Sequence, residues 1–338
     1  MQKLTKEQLE NLLQQTNKPW LVENTILVTL HGSRAYGTNT PTSDTDIKGI
    51  CIAPVDNYLG IGSDFEQVEF KSEATDTEGV VYELRKFLRL AAECNPNILE
   101  ILFVDDEDVL FCSPRGQLLR DNRDMFISKK ARHTFAGYAQ SQLKRIKGHR
   151  AWLLNPPKGK PDRADFDLPE KGIGPSEMGA LRSLEEKGHT FSENAVGLLQ
   201  KEKAYFNALQ EWKNYEGWKV SRNPARSALE AKCGYDSKHA MHLIRLLTMC
   251  SEILRGKGVQ VKRTHDVAKL LEIRSGAWSY EKLIEEADKL EAQIQVAAKF
   301  STLPEECDRE RVNKLSTYTL SLHDALPISE ERRVGKEC

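Results

Sequence analysis

The sequence predicts an α+β (α/β) domain over about the first third of the chain, followed by a mainly α-helical domain. Two observations carry this. Short β-branched and apolar runs alternate with turn signals up to about residue 104, and beyond about Phe126 the apolar residues recur with helical spacing. The chain has 338 residues, with 39% hydrophobic and 29% charged, the balance of a globular protein of two domains or one large extended one.

Taken in order, "MQKLTKEQLENLLQQ" reads as an amphipathic helix start and lacks the pattern of a signal peptide. "NTILVTL" (24–30) predicts a strand that ends at a Gly-Ser pair. "DIKGICIAP" (46–54) predicts the next, stopped by proline. "EGVVYEL" (78–84) predicts a third, running into a helix with Leu84, Phe87, Leu88 and Ala91 on one face. "NPN" (95–97) is read as the stop of that helix, and "ILEILFV" (98–104) as a further short strand. Residues 126–150 are helical and basic, and 155–175 are a Pro- and Gly-rich loop. Long helical patterns follow at 191–219, at 236–256 with Asp236 as N-cap and Gly256 as stop, and at 279–300. The expected division is a catalytic domain over 1–125 and a helical domain over 126–315 that closes a cleft.

The tail "YTLSLHDALPISEERRVGKEC" (318–338) is expected to have a different origin. Back-translated, its two halves are largely reverse complements and resemble a short-read sequencing adapter. Residues 316–338 are therefore expected to be an artefact, the native sequence ending shortly after Leu315, and His323-Asp324 is given no catalytic meaning.

The formal net charge is −1, which excludes an argument from bulk charge for nucleic-acid or membrane binding. The seven cysteines form no CxxC pair, and no apolar run reaches membrane-spanning length. A cytoplasmic protein with reduced thiols and no membrane partner is expected.

The chemistry concentrates in "HGSRAYGTNTPTSDTD" (31–46). Residues two apart on a strand face one side, so Asp44 and Asp46 present both carboxylates to one volume. Paired hard oxygen donors suit Mg²⁺ held together with substrate phosphates. Gly32 and Ser33, opening a short helix, offer backbone N–H groups and a hydroxyl to a phosphate. Either motif alone also fits an ordinary capped turn. Their combination is the specific signal, because phosphoryl transfer needs phosphate positioning beside charge neutralisation.

With these residues the segment "HGSRAYGTNTPTSDTDIKGI" resembles the signature of the polymerase-β-like nucleotidyltransferase superfamily. It is closest to the predicted nucleotidyltransferase family called RNA-ligase-associated polymerase. The similarity extends to "YELRKFLRLAAECNPNILEILF", "NPARSALEAKCGYDSKHAMHLIRL" and "LLEIRSGAWSYEKL". It implies a mixed β-sheet, an NTP donor, and two Mg²⁺ or Mn²⁺ ions held by Asp44, Asp46 and a third carboxylate on a neighbouring strand. Glu78 is the preferred third acid, a glutamate where the superfamily usually has aspartate. Glu83 is the alternative, which would otherwise cap a helix, and Asp76 is a weaker one.

Arg34 directly follows the Gly-Ser pair and is expected at the triphosphate, an ordinary surface arginine being the competing reading. Lys238, His242 and Arg245, with His239, drift across one helix face in "YDSKHAMHLIRL" and form a candidate basic wall toward nucleotide phosphates; ordinary core histidines are the competing reading. Arg222 and Arg226 carry a weaker version of that argument. Glu100, on an apolar stretch, is expected in a structural ion pair. Lys129, Lys130, Arg132, Lys144, Arg145, Lys147 and Arg150, with Phe135 and Tyr138, could face RNA or simply solvent. The expected activity is transfer of NMP to an acceptor hydroxyl with release of pyrophosphate, RNA being one candidate acceptor. AMPylation of a protein or small molecule, and nucleotide binding without turnover, are the rival readings.

Overall fold

The computed structural model describes residues 6–61, 65–172, 174–189, 191–222 and 224–334, with backbone only beyond Ser321. The chain begins with α1 (Lys6–Gln14) and α2 (Leu21–Asn24). It continues through β1 (Thr25–His31), α3 (Gly32–Tyr36), β2 (Thr45–Cys51), α4 (Asp56–Leu59), β3 (Gln67–Ser72) and β4 (Thr77–Glu83). Then come α5 (Leu84–Ala92), α6 (Pro96–Phe103), β5 (Val109–Cys112), α7 (Pro114–Asp121) and α8 (Ala131–Leu154). The remainder is helical: α9 (Pro175–Glu186), α10 (Glu193–Ser221), α11 (Pro224–Cys233), α12 (Ser237–Leu254), α13 (Val267–Arg274), α14 (Tyr280–Phe300) and α15 (Arg309–Val334).

The five strands form one sheet in the order β3-β4-β2-β1-β5. β2 and β4 run parallel, and the other neighbours antiparallel, so the sheet is mixed as expected. Register assigns the two faces. One carries Val28, Ile47, Cys51 and Val81 and packs against Leu9, Leu12, Leu13 and Leu21 of the first two helices. The other carries His31, Asp46, Lys48 and Glu78.

One expectation is corrected, and two features of the fold were not foreseen. Residues 98–104 are not a strand: α6 starts at Pro96, with the Asn95 side chain accepting a hydrogen bond from the Asn97 N–H. "NPN" is thus a helix start, an N-cap followed by proline at the first helical position, rather than a stop. Strands β3 and β5 were not anticipated, since "QVEFKS" is half-polar and "VLFC" only four residues long. The division at 125/126 also differs from the contacts, which gather residues 1–144 with 237–338 into one compact unit and 145–236 into another. The first unit therefore contains the sheet together with α12 to α15.

In that unit α12 is an almost wholly buried helix. It begins directly after Asp236 and stops before Gly256 at φ 79°, as its pattern predicts. The second unit is built on the end of α8 with α9, α10 and α11. There Trp152, Tyr215 and Trp218 form an aromatic cluster, and Arg163 donates to Glu202 at 3.0 Å. Among the described residues no helix is long and apolar enough to cross a membrane.

Candidate active site

The site lies at the end of β1, where the chain turns sharply into α3. Gly32 takes φ +61°, a conformation that costs an L side chain about 1–2 kcal/mol. A Cβ built there would fall 1.9 Å from Oδ2 of Asp46. The glycine is thus needed twice, for the turn and for the space its missing side chain leaves to the Asp46 carboxylate. Gly37, at φ 73°, closes α3, and its N–H donates back to the carbonyls of Ser33 and Arg34. Oγ of Ser33 is shielded from solvent and has no hydrogen-bond partner among the described residues.

Strand pairing places a row of charged side chains across one sheet face. His31 on β1 stands opposite Asp46 on β2, Asp46 beside Glu78 on β4, and Glu78 opposite Lys71 on β3. Adjacent strands are about 4.8 Å apart, so Asp46 and Glu78 are immediate neighbours. Asp44 precedes β2. Burial raises the proton affinity of the Asp46 carboxyl, and the charges of Asp44 and Glu78 raise it further, against Lys238 and Lys48. The Glu78 carboxylate is half exposed and accepts from the Lys71 ammonium. A cavity of about 390 Å³ opens over the row, lined by His31, Asp46, Lys48, Lys71 and Glu78 among others.

Glu83 is elsewhere. It pairs with Cys51 on the opposite sheet face. It is buried, takes the Tyr58 hydroxyl hydrogen bond at 2.7 Å, and caps α5 by accepting from the Lys86 N–H. Asp76 sits in the β3–β4 turn at φ 46°, its carbonyl accepting from the Thr45 N–H. Of the three candidate third acids, the structure brings Glu78 to the Asp46 row.

Behind the row is a second, fully enclosed group. The buried carboxylate of Glu100, on α6, accepts hydrogen bonds from the Arg245 guanidinium and from the Tyr36 hydroxyl, the latter at 2.7 Å. Nε2 of His31 lies 3.2 Å from the same carboxylate. The Arg245 guanidinium also stacks 3.7 Å over the Tyr36 ring. Burial alone would raise the Glu100 carboxyl, but Arg245, His31 and the Tyr36 hydroxyl hold it at about 2. Burial with the nearby Lys48 and Arg245 charges lowers His31 to about 3, so the imidazole is neutral. Lys48, whose ammonium donates to the Asn97 carbonyl at 3.1 Å, is lowered to about 8, chiefly by burial.

These contacts correct the expected basic wall. Arg245 is directed inward to Glu100 and is 3% exposed. His242 is held neutral, near 3, by burial and by the Arg245 and Lys238 charges. Lys238 is the member of the helix whose charge acts on Asp46. Arg34 is turned onto the loop: its guanidinium donates to the carbonyls of Ser43 at 2.7 Å and Asp44 at 3.0 Å, fixing the segment that presents the acids. Arg222 pairs with Glu230, and the Arg226 side chain lies outside the described residues. Of the basic stretch, Lys129 and Lys130 pair with Glu305 and Glu93, Arg132 donates to Gln295, and Phe135 is core.

Sequence reasoning missed His31, Lys48, Tyr36 and Arg274. Arg274, within the "LLEIRSGAW" segment, donates to the Thr38 carbonyl at 2.8 Å, and the Arg263 N–H to that of Tyr36 at 3.0 Å. The signal available for His31 and Lys48 was strand alternation, which puts both on the Asp46 face.

The mixed sheet is the arrangement that the resemblance implied, and in it the Gly-Ser turn lies against Asp46. Residues 1–154 match the RNA repair pathway DNA polymerase beta family, RlaP. The RlaP-like segment thus contains the whole sheet and the acid row, in keeping with a polymerase-β-like nucleotidyltransferase. The chain is also 26% identical over 185 residues to a protein of Enterobacteria phage T4, described as an uncharacterized 38.9 kDa protein in the nrdC-mobD intergenic region. That match covers 50% of this chain and 53% of the phage protein, so the chain spans about half the length of this relative.

Polymerase-β-like nucleotidyltransferases generally use divalent metals. The donors here fit such an ion in kind: adjacent hard carboxylates whose mutual repulsion already raises Asp46. Among the described residues no three His, Cys, Asp or Glu side chains are gathered as a ready ligand group, and Lys71 holds Glu78.

Proposed function

We propose that the RlaP-like domain is a metal-dependent nucleotidyltransferase that transfers NMP from an NTP to an acceptor hydroxyl and releases pyrophosphate. The observation that carries this reading is the close fit of the Asp46 carboxylate against Gly32, which makes the phosphate-binding turn and the acid row one site. Asp44, Asp46 and Glu78 would hold the divalent ions, which supply charge neutralisation of the triphosphate and activation of the attacking oxygen. Gly32 and the unpartnered Ser33 hydroxyl hold the triphosphate, and Lys238 adds positive charge on the same side. Arg34 and Arg274 keep the loop from 38 to 44 in place. The tie of the matching family to an RNA repair pathway supports RNA as the acceptor class. Six described free cysteines fit a reducing compartment such as the cytoplasm.

One observation favours the reading without turnover: Lys71 already pairs with Glu78, and among the described residues the acids are not collected around one point. The purified protein incubated with each α-labelled NTP, Mg²⁺ or Mn²⁺, and RNA or protein fractions separates the readings. Label in RNA supports the proposal, label in protein supports AMPylation, and metal-dependent NTP binding with no labelled product supports a regulatory module. Glu78→Gln should abolish metal-dependent transfer; full activity would remove Glu78 from the site.

A further inference from the structure

The imidazole of His31 is 5% exposed, yet only one of its ring nitrogens is used. Nε2 faces the Glu100 carboxylate at 3.2 Å, and Nδ1 has no hydrogen-bond partner among the described residues. Glu100 carries the charge, so Nε2 is the protonated nitrogen and donates, and Nδ1 keeps a free lone pair. A buried acceptor without a partner costs stability unless it is completed by something the site receives. His31 lines the cavity that also holds Asp46, Lys48 and Glu78, in the same cross-strand row as the two acids. Gly32 and Ser33 follow it directly at the start of α3, so the turn and the imidazole meet the row from one end, while β3 and β4 border it at the other.

Resting on the nucleotidyltransferase reading, we propose that Nδ1 of His31 accepts a hydrogen bond from the attacking hydroxyl of the acceptor and orients its oxygen toward the α-phosphorus. The bond formed joins the acceptor oxygen to the α-phosphorus. The bond broken is the α–β phosphoanhydride, and pyrophosphate leaves with the electron pair. The hydroxyl proton passes to Nδ1 as the new bond forms and from there to water, so the imidazole is neutral before and after the turnover. Glu100 acts through His31 by fixing the tautomer, and Arg245 and Tyr36 act through Glu100 by holding it in place.

Two variants separate orientation from simple support. His31→Gln carries an amide N–H to the place of Nε2 and keeps the Glu100 contact, but has no acceptor at Nδ1. His31→Asn has an amide oxygen near Nδ1 and leaves Glu100 short of a donor. The full chain is assayed with α-labelled ATP, Mn²⁺ and an RNA oligonucleotide with a free 3′-hydroxyl, counting both labelled RNA and free AMP. Melting temperature and Mn²⁺-ATP affinity are measured alongside. Expected are a His31→Gln protein with wild-type melting and nucleotide affinity but turnover reduced roughly 10- to 100-fold. The His31→Asn protein should melt lower yet turn over faster than His31→Gln. The same ranking in stability and turnover overturns the proposal, as does a tenfold loss of Mn²⁺-ATP affinity in His31→Gln, which would make His31 a ligand of the donor side. If His31→Gln does not fold, His31→Asn decides: folded protein with under one-hundredth of wild-type turnover overturns the proposal, and more supports it. Wild-type protein that binds Mn²⁺-ATP but yields neither product rejects the nucleotidyltransferase reading itself, and the proposal falls with it. An active wild type with equally active variants removes His31 alone.

Discussion

Asp46 and Glu100 lie on the same side of one sheet and have opposite electrostatic fates. Glu100 is enclosed, receives a guanidinium and a tyrosine hydroxyl and faces an imidazole, and its carboxyl is held near 2. Asp46 is only partly enclosed, stands beside two further acids, and its carboxyl is pushed upward. Burial acts in the same direction on both; the partners decide the sign. Glu100 is an acid that the fold has compensated, whereas Asp46 stands beside acids that repel it, the property the proposed metal site would use.

The largest expected effect comes from removing the uncompensated charge. Asp46→Asn should lower nucleotide transfer roughly 10³-fold, since metal stabilisation of the transferring group is worth several kcal/mol. The same variant should melt at the wild-type temperature or above it. A carboxyl whose folded pKa is raised weakens the folded state once ionised, and the amide removes that penalty. A fall in melting temperature would place Asp46 with Glu100 among structural acids.

Arg245→Ala tests the other half. It leaves the Glu100 charge buried without its guanidinium and should cost about 3–5 kcal/mol in denaturant unfolding. The pH dependence follows from the depressed Glu100 carboxyl. Its ordinary value is 4.5 and its folded value about 2, so its contribution is present above pH 4.5 and disappears as pH falls toward 2. In Glu100→Gln, unfolding free energy should change less across that window than in wild type. Equal slopes would show that Glu100 is not held down.

Gly32→Ala probes the contact between turn and acid. The positive φ costs about 1–2 kcal/mol, and the added methyl group collides with the Asp46 carboxylate. Transfer should fall roughly 10- to 100-fold, more than the modest loss in melting temperature accounts for. Loss of stability with full activity would separate the turn from the acids.

The pattern of these effects explains what could be read from sequence. The strand-turn-acid order was legible because Gly32, Ser33, Asp44 and Asp46 are close in the chain and their chemistry is local. Glu78 was legible as a nearby acid, and the register of β2 with β4 gives it its place. Glu100 was legible as an ion pair, but not its partner Arg245, 145 residues away. Arg34 and Arg245 have partners that the sequence did not show, for one reason. A guanidinium near a phosphate motif serves equally well to hold carbonyls or a carboxylate, and only tertiary packing shows which. The helix at Pro96 was missed because an eight-residue apolar run has no period that distinguishes strand from buried helix.

The smallest effect is expected where the two environments meet. Lys71 gives Glu78 partial compensation through a direct ion pair. Both side chains are about half exposed, so the pair is screened by water and salt. Lys71→Ala should leave the melting temperature unchanged. It should lower the Mn²⁺ concentration giving half-maximal nucleotide binding by roughly two- to fivefold, with the difference shrinking as salt is raised from low to physiological strength. A metal requirement that moves upward, or not at all, would mean that Glu78 does not meet the ion. The row would then contain two functional acids, and the reading as a nucleotide-binding module would gain over the enzyme.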